Sequence, residues 1–219
     1  MTDKDVTTYF DTDTNWRSSR STIAQYRMWC SHLYKWPAYI KNRRSKIKEI
    51  DSWSQYIVDN AVGDSAVYAS GGLFFKDFLP DVTVIEHKIS PINIPGMIYL
   101  NVENPPDFTN KFDNLIMLNP QPLKYHHSLW EFFSKPGVSR AGWKPSILNW
   151  LRPGAKIFLS ESDWHLYYDR LKMTPQQYLE QQLADLESHG LECIYQEIGP
   201  SNYDIVNGNI KLVLRQVNV

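Results

Sequence analysis

VYASGGLFFKDFLPDVTVIE, residues 67–86, decides how this chain is read. Val67-Tyr68-Ala69-Ser70 is a short apolar run that passes directly into Gly71-Gly72. A short apolar helix is expected over 73–79, and Val82-Thr83-Val84-Ile85 is a second strand that ends on Glu86. Strand, glycine turn, helix, strand and acid is the layout of a nucleotide-type half-site. The glycines let backbone approach a ligand with no side chain in the way. An acid at the end of the next strand accepts hydrogen bonds from a ribose diol. A full Gly-x-Gly-x-x-Gly is absent, and a plain strand-to-helix turn is the alternative reading.

Outward from this stretch the hydrophobic period separates two regions. Before Gly63 it is helical: helices are expected at 18–33, 38–48 and 51–60, the last with Trp53, Tyr56 and Ile57 as its apolar stripe. After Gly63, short continuous apolar runs at 66–69, 82–85, 97–100, 115–118 and 156–159 suit strands buried on both faces of a parallel sheet. Helical patterns at 73–79, 128–134, 144–151 and 175–189 alternate with them. The last opens with Thr174 as N-cap and Pro175 in its first turn, and stops at Gly190. The runs 191–198 and 210–217 have no helix between them and read as an antiparallel pair. The expected organisation is a polar tail (1–15), a basic aromatic helical cap (16–50) and an α/β body (51–219).

Charge divides the chain in the same place. Residues 16–48 hold nine Lys or Arg and no Asp or Glu, whereas residues 49–219 hold thirteen basic and twenty acidic residues. Tyr26, Trp29, Tyr34, Trp36 and Tyr39 are interleaved with the cations. Phosphate attraction combined with base stacking is the usual means of holding single-stranded nucleic acid. Arg27, Lys41, Arg43, Arg44, Lys46 and Lys48 are therefore the candidate nucleic-acid contacts. The alternative is that these aromatics pack the cap onto the body. Cys30 and Cys193 are too few for a disulfide framework and suit a reducing compartment. No apolar run approaches the roughly 20 residues needed to span a bilayer, so a cytoplasmic protein with no membrane partner is expected.

The order of elements from about residue 50 onward resembles the class I S-adenosylmethionine-dependent methyltransferases. The most specific part is Trp150-Leu151-Arg152-Pro153-Gly154-Ala155-Lys156-Ile157-Phe158-Leu159, similar to the family's Leu-x-Pro-Gly turn before its fifth strand. The terminal antiparallel pair fits the family's last two strands, and Phe112-Asp113-Asn114-Leu115-Ile116-Met117-Leu118-Asn119 fits its fourth. The resemblance implies a three-layer Rossmann-like methyltransferase fold, mostly parallel, with a C-terminal antiparallel hairpin; the N-terminal helical cap read from the residues is added to it. It implies S-adenosylmethionine as cofactor. Ser70, Gly71 and Gly72 would lie under the methionine part, Glu86 would hold the ribose hydroxyls, and Asn101, Val102 and Glu103 would meet the adenine. Asn119 would stand near the transferred methyl. From its place just after the fourth strand, His126 or His127 is a candidate general base, with a plain surface role as the alternative.

Two departures bear on the chemistry. Asn119-Pro120-Gln121-Pro122 resembles the Asn-Pro-Pro-aromatic motif of amino-methylating enzymes, but Gln121 replaces a proline and Leu123 the aromatic, which argues against an amine acceptor. Phe74 and Phe75 are bulky where the family's first loop is small. The leading expectation is methyl transfer to a nucleic acid. The alternatives are a non-catalytic binding or assembly module with a degenerate pocket, and a small-molecule methyltransferase. The sequence has no His-Glu-x-x-His or Cys-x-x-Cys, and no metal site is expected. Residues 137–142 lack the spacing of a nucleophile elbow, and 142–145 that of a P-loop.

Overall fold

The computed structural model describes residues 52–68, 75, 78–79, 81–87, 97–100, 106–118, 127–139, 142–161, 173–198 and 210–217. The cap at 16–50 lies outside them. In chain order the elements are α1 (Ser52–Asn60), β1 (Ser65–Tyr68), β2 (Thr83–His87), β3 (Met97–Leu100), β4 (Phe112–Leu118) and α2 (Leu129–Ser134). There follow β5 (Gly137–Ser139), β6 (Gly142–Lys144), a 3-10 turn (Leu148–Trp150), β7 (Leu151–Glu161), α3 (Pro175–Ser188), β8 (Leu191–Ile198) and β9 (Ile210–Gln216).

Seven strands form one sheet in the order β3-β2-β1-β4-β7-β9-β8. The pairs among β3, β2, β1, β4 and β7 are parallel. The pairs of β9 with β7 and β8 are antiparallel. Side chains of a strand alternate between faces, and the core divides accordingly. Ala66, Tyr68, Leu115, Met117, Ile157, Leu159, Leu212 and Leu214 belong to one buried cluster with Leu129, Phe132 and Phe133 of α2 and Leu179 and Leu186 of α3. The intervening Val67, Ile116, Phe158 and Val213 are equally buried but outside that cluster. On this second face the Trp53 and Tyr56 rings of α1 stack against Tyr195 of β8, with centroids 5.8 and 4.8 Å away. Sheet and flanking helices thus make three layers, as expected.

The long helix α3 begins as its sequence demands. Thr174 accepts from the Gln177 amide at 3.2 Å while the Gln177 side chain accepts from the Thr174 amide at 2.9 Å. Gln182, buried on the same helix, accepts from the Leu129 amide at 2.9 Å and so fixes where α2 starts.

The structure corrects one expected element. The helix expected over 144–151 is instead the last residue of β6, a single 3-10 turn and the start of β7. The expected Leu-Arg-Pro-Gly turn becomes an irregularity inside β7. Phe112 pairs with Leu151 and Asn114 with Lys156, so Arg152 to Ala155 bulge out of register, with Gly154 at φ +81°. A glycine is required there because other residues rarely adopt that backbone. The short hairpin of β5 and β6, not foreseen from the sequence, reaches toward β2.

Candidate cofactor edge of the sheet

In a doubly wound sheet, ligands bind outside the carboxyl ends of the strands, where the order of connection reverses. Here the reversal falls between β1, whose chain continues to β2 on one side, and β4 on the other. β1 ends at Tyr68, β2 at His87, β3 at Leu100 and β4 at Leu118, all at one edge because the four strands are parallel. The Gly71-Gly72 segment follows β1, Asn101 follows β3 directly, and Asn119 follows β4 directly. Glu86 stands one residue before the end of β2, level with Tyr99 of β3. Among the described residues, the strand ends Tyr68, Leu100 and Leu118 and the Glu86 position of β2 therefore share one edge.

Of the site residues read from the sequence, only the backbone of Glu86 is described. Ser70, Gly71, Gly72, Asn101, Val102, Glu103, Asn119 and His126 lie outside the described residues. So do Arg27, Lys41, Arg43, Arg44, Lys46 and Lys48. Phe74 lies outside them as well, whereas Phe75 is fully buried. The Phe75 carbonyl accepts from the amides of Phe78 and Leu79, at 3.0 and 2.6 Å, and the rest of the expected 73–79 helix lies outside the described residues.

Two described residues at this edge escaped the sequence reading. Tyr68, the last residue of β1, is buried and meets Trp150 edge-on at 5.4 Å. Ser160 of β7 pairs in register with Leu118, beside the strand that delivers Asn119. Its hydroxyl is buried without a hydrogen-bond partner. Nothing in the pattern of a strand distinguishes such a serine from a solvated one, so only the register finds it.

α1 crosses the second face of the sheet. At its far end the Val62 carbonyl accepts from Asn114 Nδ2 at 2.9 Å, near the amino edge. At its start Trp53 stacks on Tyr195, which is level with Val213, Phe158 and Ile116, two residues further along β4. The helix therefore begins on the side nearer the carboxyl edge. Tyr195 is held by its hydroxyl, which donates to Glu197 at 2.8 Å; that bond, with burial, pushes its pKa up to about 12. Lys211 bridges the same Glu197 at 2.7 Å and holds its carboxyl below the ordinary range.

Counted along the chain within the large sheet, the strand order is 3-2-1-4-5-7-6, with only the seventh running against the other six. This chain has the Rossmann-like methyltransferase fold. Solved methyltransferases are similar to it at low identity. The 16S rRNA (adenine(1408)-N(1))-methyltransferase from Catenulisporales acidiphilia is 15% identical with a TM-score of 0.43, over 78% of this chain and 94% of that one. The 1,6-didemethyltoxoflavin-N1-methyltransferase of Burkholderia thailandensis, solved with S-adenosylhomocysteine, is 10% identical with a TM-score of 0.45, over 83% and 85%. The aminoglycoside resistance methyltransferase NpmB1 is 13% identical with a TM-score of 0.43, over 74% and 91%. No protein-family model and no curated protein matches the sequence. The strand order, rather than these distant likenesses, carries the fold.

Among the described residues, no group of three or more His, Cys, Asp or Glu stands together as a metal site would require. Among the described residues, no helix is long and apolar enough to cross a membrane.

Proposed function

We propose that this protein is an S-adenosylmethionine-dependent methyltransferase whose acceptor is a nucleic acid. The observation that carries the first half is the position of Glu86: an acid at the carboxyl end of β2, beside the reversal in strand order. A carboxylate there accepts from two vicinal hydroxyls, the one feature of a nucleoside ribose that a backbone turn cannot recognise by itself. The residues present fit such a cofactor in kind: a glycine pair after β1 for close backbone approach, an acid for the diol, and polar Asn101 and Glu103 after β3 for the base. The bound cofactor would supply the electrophilic methyl group. The chain's part is position. Asn119, at the end of β4, would orient the acceptor by hydrogen bonding. The closed core beneath the strand ends excludes water. In-line transfer depends mainly on such alignment.

The second half rests on residues 16–48, which are basic, rich in aromatics, and joined to a helix that starts toward the same edge. A second reading, a binding module with a degenerate pocket, is favoured by the full burial of the Phe75 ring.

Calorimetry with S-adenosylhomocysteine decides between them. The expected result is saturable binding, weakened about ten-fold or more in Glu86→Ala, as loss of a charged hydrogen bond implies. Absence of binding at millimolar ligand would sink the methyltransferase reading and leave the binding module.

A further inference from the structure

At the opposite, amino edge of the sheet there is a cavity that the cofactor reading does not use. It is a partly open cleft of about 540 Å³ between the end of α3 and the starts of β7 and β8, within the roughly 300–1,000 Å³ of ordinary small-molecule sites. Its walls are mainly apolar: Leu191, Pro153, Val217 and the Trp130 indole. Trp130 lies parallel to the His189 ring, with centroids 4.3 Å apart and planes within 16°. His189 is fixed in turn. Its Nδ1 donates to the Asp185 carbonyl at 2.7 Å and lies 3.0 Å from the Ser188 hydroxyl. The aromatic wall is therefore preformed. Gln216, level with Leu191 on the neighbouring strand, also lines the cavity, and its side-chain carbonyl oxygen is buried without a hydrogen-bond partner. An acceptor left in that state costs stability that a donor would restore.

We infer that this cavity is a second binding site, for a flat apolar ring that carries one N–H or O–H donor. The ring lies along Trp130 and between Pro153 and Val217. The Gln216 amide turns about its terminal torsion to accept from the donor. Leu191, almost wholly buried in the core, forms a fixed floor. The site is separated from the cofactor edge by the length of the strands, so it is independent of methyl transfer.

Indole and 1-methylindole are suitable probes, since they share a ring and differ in the donor. Each is titrated into the full chain and followed by ¹H–¹⁵N correlation spectra. Indole is expected to give saturable shifts at the Trp130 indole N–H and the Gly190 amide, with a dissociation constant in the millimolar range. 1-Methylindole is expected to bind about five-fold more weakly, the ratio carried by one neutral hydrogen bond. Gln216→Met should remove that difference, and Val217→Trp, which fills the cavity from its exposed rim, should abolish both. The spectra report directly whether each variant is folded. No saturable shift, unchanged binding in a folded Val217→Trp, or equal affinity for the two probes would each overturn the assignment.

Discussion

Gly63 stands between α1 and β1 at φ +97°, and a Cβ there would lie 2.5 Å from Asp113 Oδ2. That oxygen accepts from the Asp64 amide at 2.9 Å and from Arg152 at 2.7 Å, and Arg152 also bridges Asp64. One small residue thus lets a turn, β4 and the irregular start of β7 share a single carboxylate. Gly63→Ala combines a strained backbone with displacement of that carboxylate, and is expected to cost about 1–3 kcal/mol in urea denaturation. An unchanged midpoint would show that the turn relaxes freely. Lys144 is a different kind of exception, a lysine with no solvent exposure. Its ammonium donates to the Lys135 carbonyl and sits 4.9 Å from the Phe132 ring centroid. Burial lowers its pKa from the ordinary 10.5 to about 8, against the opposing pull of Glu131. Between those two values the unfolded chain binds more proton than the folded one, so this group makes stability rise with pH there. Below about 8 its burial cost is fully present. Lys144→Met should flatten the rise, which unfolding curves on either side of pH 8 will show; an equally steep rise in the variant would assign it to other groups.

At the scale of elements, what could be read in advance were the segments whose local signal and burial agree. β3 has the expected limits, and α3 begins and ends as its cap, its proline and Gly190 foretell. Removing the reciprocal cap by Thr174→Ala should cost about 1 kcal/mol, read as a lower melting temperature, whereas Thr174→Ser should cost little. If both variants melt alike, the side-chain oxygen is not what holds the helix start. The 144–151 segment failed for an identifiable reason. Ile147 and Trp150 stand three apart as on a helix, but they are buried around one 3-10 turn, with Leu148 partly buried beside them, and the chain then enters a strand. β5 and β6 are three residues each, too short for a period, and are held by pairing to each other and by the buried Lys144. The register of β7 on β4, which skips Arg152 to Ala155, is invisible until the two strands are side by side.

For the molecule as a whole, the separation of charge is the feature with the clearest functional consequence. If residues 16–48 hold single-stranded RNA, the logarithm of affinity should fall linearly with the logarithm of salt, with a slope near −0.7 per phosphate contact. Replacing Arg43 and Arg44 by Glu should lower the slope and leave S-adenosylhomocysteine binding unchanged. An RNA affinity insensitive to salt would return the cap to a packing role. The edge strand β8 shows how the body limits unwanted pairing. Ile194 and Ile198 are exposed on it, yet the register shifts between Cys193 and Tyr195, and Glu192 and Glu197 are paired to Arg215 and Lys211. A bulged, charged edge is a poor template for another strand.

The sequence by itself determined the alternation of strands and helices, the closing antiparallel pair and the positions that follow each strand end. These depend on local period, on turn residues and on continuous apolar runs, which a buried parallel sheet imposes on every strand in it. Only the tertiary structure decided that Glu86 stands level with Tyr99 beside the reversal of strand order, that Ser160 carries a buried hydroxyl next to the end of β4, and that a cavity opens at the far edge. Register, burial of a single polar atom and empty space between elements arise from contacts between residues distant in the chain, and no local pattern records them.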